Sequence, residues 1–272
     1  MRRAYSTIGL LAGVALIFVL ALGSRSPGLV ALPPSARAVT MTSGDGQAEM
    51  LIRPASVTRG LVLFMHGLGA GGQQIDEPGF AKFRDALIAE GYAIAASNSH
   101  GNNAGNPVSV EDQVNLLHDA ERRLPPLSDV DILAFSMGGL DALLSASGHI
   151  IPHLKAVALI SPACNQVPFL KTHFAGIVKD AFAGVGGGSL TSSMLANDPM
   201  VRPGSSYGGY SYRFWQSPTD TVVPASQATE MVALLAKQHI SAQDTWLVGG
   251  HGDFSALAPA SVVKFFNGAA RA

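Results

Sequence analysis

Apolar residues along the chain fall into two kinds of run. A short unbroken run at 60–65 (GLVLFM) has the length and continuity of a strand buried on both faces, and 131–135 and 154–160 read as further strands. Between them lie segments with a helical period. Residues 80–90 place Phe80, Phe83, Ala86 and Leu87 on one stripe and end at Gly91, and residues 110–124 stop at Pro125-Pro126. The alternation continues with a strand at 92–96, a helix at 138–147, a strand at 211–215 and a helix at 225–239. A strand at 245–248 and a helix at 254–266 complete it. Near the front, 39–42 and 47–53 flank Ser43-Gly44-Asp45-Gly46, a hairpin-like turn. Strands alternating with helices predict an α/β fold, a mostly parallel central sheet with helices on both faces. No internal repeat interrupts the pattern.

Two stretches depart from the rhythm. Residues 161–210 place Leu170, Phe174, Ile177, Val178 and Ala181 at helical spacing before a glycine-rich break at 184–188. Long irregular segments inside compact domains are usually functional or disordered, so this one reads either as a surface helix with its loop or as a short lid. The other departure is the front. Arg2-Arg3 precede an uncharged apolar run at 8–23, the pattern of a secretory signal. Ala21-Leu22-Gly23 and Ala36-Arg37-Ala38 both offer small residues for cleavage. Retained instead, the run would be a membrane anchor, although it is shorter than the ~20 residues of a spanning helix. The expected organisation is therefore 1–23 signal peptide or anchor, 24–38 a Pro/Ser-rich spacer, and 39–272 one α/β domain with a lid segment at 161–210. The expected location is secreted or extracytoplasmic.

Composition narrows the function classes. With 47% hydrophobic and 14% charged residues the chain is not disordered. The net charge of −1 disfavours nucleic acid as a partner, the more so because residues 1–38 hold four arginines and no acid and leave the remainder acidic. A single cysteine, Cys164, excludes an internal disulfide framework and reads as a small buried residue. His149 and His153 are four apart, but Pro152 lies between them and no third ligand is evident, so no metal site is expected. No cofactor is expected either.

The most informative stretch is Asp131 to Asp141, DILAFSMGGLD. A buried strand runs into Ala134-Phe135-Ser136-Met137-Gly138 and straight into a helix. A serine at such a turn is held in a tight exposed bend, and small residues two before and two after let strand and helix pass closely. Ala134 stands where glycine is usual. A serine hydroxyl is a weak nucleophile at neutral pH, so it needs a base, and the base needs an orienting acid. Asp220 follows one predicted strand and leads through Val222-Val223-Pro224 into a helix. His251 lies in Gly249-Gly250-His251-Gly252, after the next strand. All three residues sit in loops at the strand ends where open α/β sheets place their ligands.

From about Gln47 to about Phe266 the chain resembles the α/β-hydrolase-fold serine hydrolases. Met65-His66-Gly67-Leu68-Gly69 is similar to that family's His-Gly loop, and Ser136, Asp220 and His251 stand in its Ser-acid-His order. The resemblance implies Ser136 as nucleophile, His251 as base and Asp220 as its orienter, with the backbone N–H groups of Leu68 and Met137 binding the oxyanion. His66 would then be structural. It further implies an esterase or lipase-like enzyme acting on small, lipid or polymer esters. The alternatives are a peptidase or other acyl hydrolase on the same residues, or a non-catalytic binding member of the fold. Three weaker readings stand beside these. Gly67–Gly72 is formally G-x-G-x-x-G, but no acid ends the following strand and no Tyr-x-x-x-Lys is present, which disfavours a dinucleotide site. Asp198 is the next candidate acid, and Asp253 reads as a first-turn helix acid. The run His100-Gly101-Asn102-Asn103 is either a polar turn or a lining of the pocket mouth.

Overall fold

Eight strands form one sheet: β1 (Ala36–Thr42), β2 (Ala48–Pro54), β3 (Gly60–Met65), β4 (Tyr92–Ser97), β5 (Val130–Phe135), β6 (Leu154–Ile160), β7 (Ser211–Gln216) and β8 (Ala242–Trp246). The computed structural model describes residues 28–185 and 189–269. Spatial order is β1-β2-β4-β3-β5-β6-β7-β8, with β2 antiparallel to both its neighbours and β3 to β8 mutually parallel. Every residue of β3, β4, β5 and β6 is buried, which is why these strands are nearly unbroken apolar runs in sequence.

Side chains alternate between two cores, as the period of two requires. Leu63 and Ala134 face one core, under α2 (Pro107–Glu121), α3 (Gly138–Ser147) and α6 (Ser226–Ala236). Phe64 and Leu133 face the other, under α1 (Pro78–Ala89) and α7 (Pro259–Gly268). The chain leaves β3 for β4 on one side and returns to β5 on the other. Loops after β3 and β5 therefore diverge and leave a crevice at the strand ends.

The departures from the expected elements have local causes. Strand β8 covers 242–246 rather than 245–248. It is the sheet edge and carries no fully buried residue, so it lacks an apolar run, whereas Leu247 beyond it is buried. Phe254 lies in a loop and packs against the rings of Phe80 and Phe135; helix α7 begins only at Pro259. Asp253 is accordingly not a first-turn helix acid and accepts a bond from the Ser255 N–H at 3.0 Å. Strand β1 begins at Ala36, inside the segment read as spacer. Residues just before it lie on the domain, where the buried Arg84 guanidinium donates to the carbonyls of Val30 and Ala31, both at 2.9 Å.

The irregular section contains α4 (Ala175–Ala181) and α5 (Leu190–Ala196) over a third apolar cluster that includes Leu140, Phe169, Phe182 and Met194. Residues 1–27, with the apolar run at 8–23, and residues 186–188 of the glycine-rich break lie outside the described residues. Among the described residues no helix is long and apolar enough to cross a membrane.

Candidate active site

Ser136 sits between the last residue of β5 and the first turn of α3 with φ of 51°, a left-handed conformation that a serine rarely adopts. Backbone bonds pin it there: its N–H donates to Ile160 at 3.0 Å, and its carbonyl accepts from Gly139 at 3.0 Å and Ala163 at 2.8 Å. The bend is this tight because of Gly138. A Cβ on Gly138 would lie 2.3 Å from the Met65 carbonyl oxygen and 2.6 Å from its carbon, both backbone atoms at the end of β3. Ala134 is fully buried among Met65 and Leu159, so the methyl that replaces the usual glycine is absorbed by the core.

His251 Nε2 lies 2.9 Å from Ser136 Oγ, and its Nδ1 lies 2.7 Å from Asp220 Oδ2. A carboxylate only accepts, so Nδ1 carries the hydrogen and Nε2 is left to accept from the serine hydroxyl. The second Asp220 oxygen accepts from the N–H groups of Val222 and Val223, both at 2.9 Å, which gives the Val222-Val223-Pro224 turn its purpose. Burial pushes the Asp220 carboxyl up, but the bonds from His251 and these two amides outweigh it and hold it below the ordinary carboxylate value. The loops of Asp220 and His251 are tied together, since Ser217 Oγ (2.5 Å) and Thr219 Oγ1 (2.6 Å) both donate to the Gly249 carbonyl. The imidazole lies on the Phe135 ring with centroids 5.2 Å apart, above the cluster that Phe80 and Phe254 complete. Asp198 takes no part. It is buried and caps the turn at Pro199, accepting from Met200 at 2.8 Å and Gln166 at 3.0 Å.

The N–H of Met137, at the start of α3, and that of Leu68, after β3, have no acceptor among the described residues, and both residues line the cleft beside Ser136. The Leu68 loop is braced from three directions. Gly67 N–H donates to Gln74 at 2.8 Å, Gly69 to Asn102 at 2.7 Å and Gly72 to Asn98 at 3.1 Å. These amides are spent on side chains, and the loop enters a short 3-10 turn rather than a long helix, so the formal G-x-G-x-x-G is no phosphate cradle. His66 is buried with its ring nitrogens 2.8 and 2.9 Å from the carbonyls of Gly67 and Asn98. The bracing roles of Gln74, Asn98 and Asn102 were invisible in sequence; only the polar run after β4 pointed toward the pocket mouth.

Beside Ser136 opens a narrow cleft. Its walls are almost wholly apolar. Phe169, Phe174, Ile177 and Val178 come from the irregular section, and Val222 and Val223 from the turn after Asp220. His149 Nδ1 lies 2.7 Å from the Tyr210 hydroxyl. Cys164 is buried, and burial pushes its thiol well up.

No family model matches the sequence, and no curated protein matches it. The fold has clear relatives among solved structures. Acylaminoacyl peptidase of Pyrococcus horikoshii superposes with a TM-score of 0.66 at 14% identity over 87% of this chain and 42% of that one. Esterase B of Lactobacillus rhamnosis, inhibited by a tributyrin phosphonate, gives 0.66 at 15% identity over 88% and 87%. Sheet order, the serine turn and these likenesses define the α/β-hydrolase fold. The chain spans well under half of the peptidase but is similar in extent to the esterase.

Proposed function

We propose that this chain is a serine hydrolase that cleaves carboxylic esters through an acyl-enzyme on Ser136. The observation that carries the proposal is the unbroken relay Ser136–His251–Asp220 at 2.9 and 2.7 Å, beside the Leu68 and Met137 amides, which have no acceptor among the described residues. Ser136 Oγ attacks the ester carbonyl carbon as His251 Nε2 takes its proton. The carbonyl oxygen becomes an oxyanion that the N–H groups of Leu68 and Met137 receive, at the positive end of α3. The C–O bond to the alcohol then breaks, and the alcohol leaves with the proton from His251. Water enters by the same steps in reverse and releases the acid. Asp220 keeps the imidazole in one tautomer and stabilises its charged form.

An ester with an apolar acyl group fits the cleft best, because its walls offer no charged group to hold a peptide terminus. The test is a series of p-nitrophenyl esters of increasing acyl length, with a p-nitroanilide of matching acyl group. We expect ester turnover well above anilide turnover, none of it in Ser136→Ala. Anilide turnover equal to or above the ester rate would move the assignment to a peptidase.

We further propose that the chain is exported, on the strength of Arg2-Arg3 ahead of the apolar run at 8–23. Fractionation of the native host should place it outside the cytoplasm, released or membrane-bound. Full-length soluble protein in the cytoplasm would reject export.

A further inference from the structure

Away from the cleft, at the other side of the loop that follows β4, charged side chains converge from four elements. Asp45 stands on the β1–β2 turn, His100 in the loop after β4, Asp112 on α2 and Glu49 on β2. One donor atom from each of Asp45, His100 and Asp112 lies within 4.8 Å of the others. His100 Nδ1 is 2.7 Å from Asp112 Oδ2, and Nε2 is 3.8 Å from Asp45 Oδ2. A carboxylate oxygen of Asp45 and one of Asp112 lie within 4.8 Å of each other. Two carboxylates this close repel unless a proton or a cation lies between them.

Glu49 makes the imbalance worse. It is 3% exposed, and its buried Oε2 has no hydrogen-bond partner. Glu49 shares a face of β2 with Leu51, which packs in the core under α2, so its carboxyl reaches toward Asp112. Burial first, then the charges of Asp112 and Asp45, push that carboxyl up to about 7. Of the cations whose fields reach it, Arg122 pairs with the Asp119 carboxylate, and Arg123 donates to the Asp119 backbone carbonyl at 2.8 Å. Three acids therefore share one imidazole.

We infer that Asp45, His100 and Asp112 form a divalent transition-metal site, with Glu49 as the buried carboxylate behind it. The mixed imidazole and carboxylate donors favour Zn²⁺ over Ca²⁺ or Mg²⁺, which prefer oxygen alone. Tetrahedral Zn²⁺ with bonds of ~2.0–2.2 Å spaces its donors roughly 3.4 Å apart. Reaching that spacing asks the His100–Asp112 pair to open from 2.7 Å and Asp45, exposed on its turn, to draw in from within 4.8 Å. One ion would tie the β1–β2 turn, the loop after β4 and α2 together.

The test is calorimetric titration of the chelator-treated full chain with ZnCl₂ at neutral pH, followed by thermal melts. One Zn²⁺ per chain is expected, with a rise in Tm on binding. His100→Ala and Asp112→Asn should each weaken the affinity at least ~10-fold and abolish the rise, while His149→Ala changes neither. Asp45→Ala, on an exposed turn, tests the same site without touching the core. Absence of saturable binding to the parent chain, or equal affinity in the parent and in His100→Ala and Asp45→Ala, overturns the inference. Binding is read directly, so the result stands whether or not Ser136 is a nucleophile.

Discussion

At the scale of single residues, the turn at Ser136 depends on what cannot be enlarged. Gly138→Ala would set a methyl against the backbone of Met65 and His66, which no side-chain rotation relieves. Overpacking of this kind costs about 1–3 kcal/mol. We expect a lower Tm together with loss of the proposed hydrolase activity, because the same shift displaces the Met137 amide. A Gly138→Ala protein with unchanged melting and turnover would contradict the close approach of β3. Asp220→Asn is expected to keep the fold but leave the imidazole poorly oriented, with turnover down by up to ~10⁴-fold. Asp198→Asn should instead lower Tm with little loss in turnover of the remaining folded protein, since its carboxylate holds two buried amides. Turnover and thermal melts on the two variants check both. In sequence alone Asp198 was only a rival acid, because the amides it caps come from its own turn and from Gln166, 32 positions away.

At the scale of elements, helices α2 and α3 meet through Ser109 and Asp141. Ser109 Oγ lies 2.6 Å from Asp141 Oδ1 and 2.9 Å from the Asn106 carbonyl oxygen. A hydroxyl has one hydrogen, so both contacts are satisfied when a protonated Asp141 donates to Ser109 and Ser109 donates to Asn106. Burial, opposed by its bonds to Ser109 and Asn103, pushes the Asp141 carboxyl up to about 7. The folded state thus holds this proton where the unfolded chain, near pKa 3.8, has lost it. The stabilisation is full below the unfolded value and erodes as pH rises through about 7. Asp141→Asn keeps a donor toward Ser109 and has nothing to ionise. Between pH 5 and 8 the Tm of the parent should fall relative to this variant; parallel curves would refute the protonated pair.

The same scale shows why the sequence was read well in the middle of the sheet and poorly at its edge. Strands β3, β5 and β6 are buried on both faces and announce themselves as apolar runs. Edge strand β8 has no buried face, so it begins three residues and ends two residues before the expected bounds. His251 still lies in the loop beyond that strand, a placement that does not depend on the strand's register. Phe254 was assigned to a helix because its apolar character fits one, whereas its ring serves the platform under His251. The apolar cleft was equally hidden, being assembled from α4, the turn after Asp220 and the end of β5. The Asp45–His100–Asp112 cluster joins positions more than 50 residues apart and leaves no local pattern.

At the scale of the whole molecule, the segment from Val30 through β1 is built into the domain. Cleavage after Ala38 would remove the first half of β1, along with Val30 and Ala31, and leave the buried Arg84 guanidinium short of two acceptors. Cleavage after Gly23 keeps both. If the chain is exported and processed, its mature N-terminus should therefore lie near Ser24, read by mass spectrometry of the native protein; a terminus at Val39 would contradict the role of Arg84. The fold itself serves one arrangement, three strand-end loops that bring Ser136, His251 and Asp220 together beside two free amides. The most direct measurement of that claim is intact-mass and peptide mapping after reaction with a fluorophosphonate. The account predicts one adduct per chain, on Ser136, abolished in Ser136→Ala and strongly slowed in Asp220→Asn. An adduct that survives Ser136→Ala, or that maps to another residue, would contradict it.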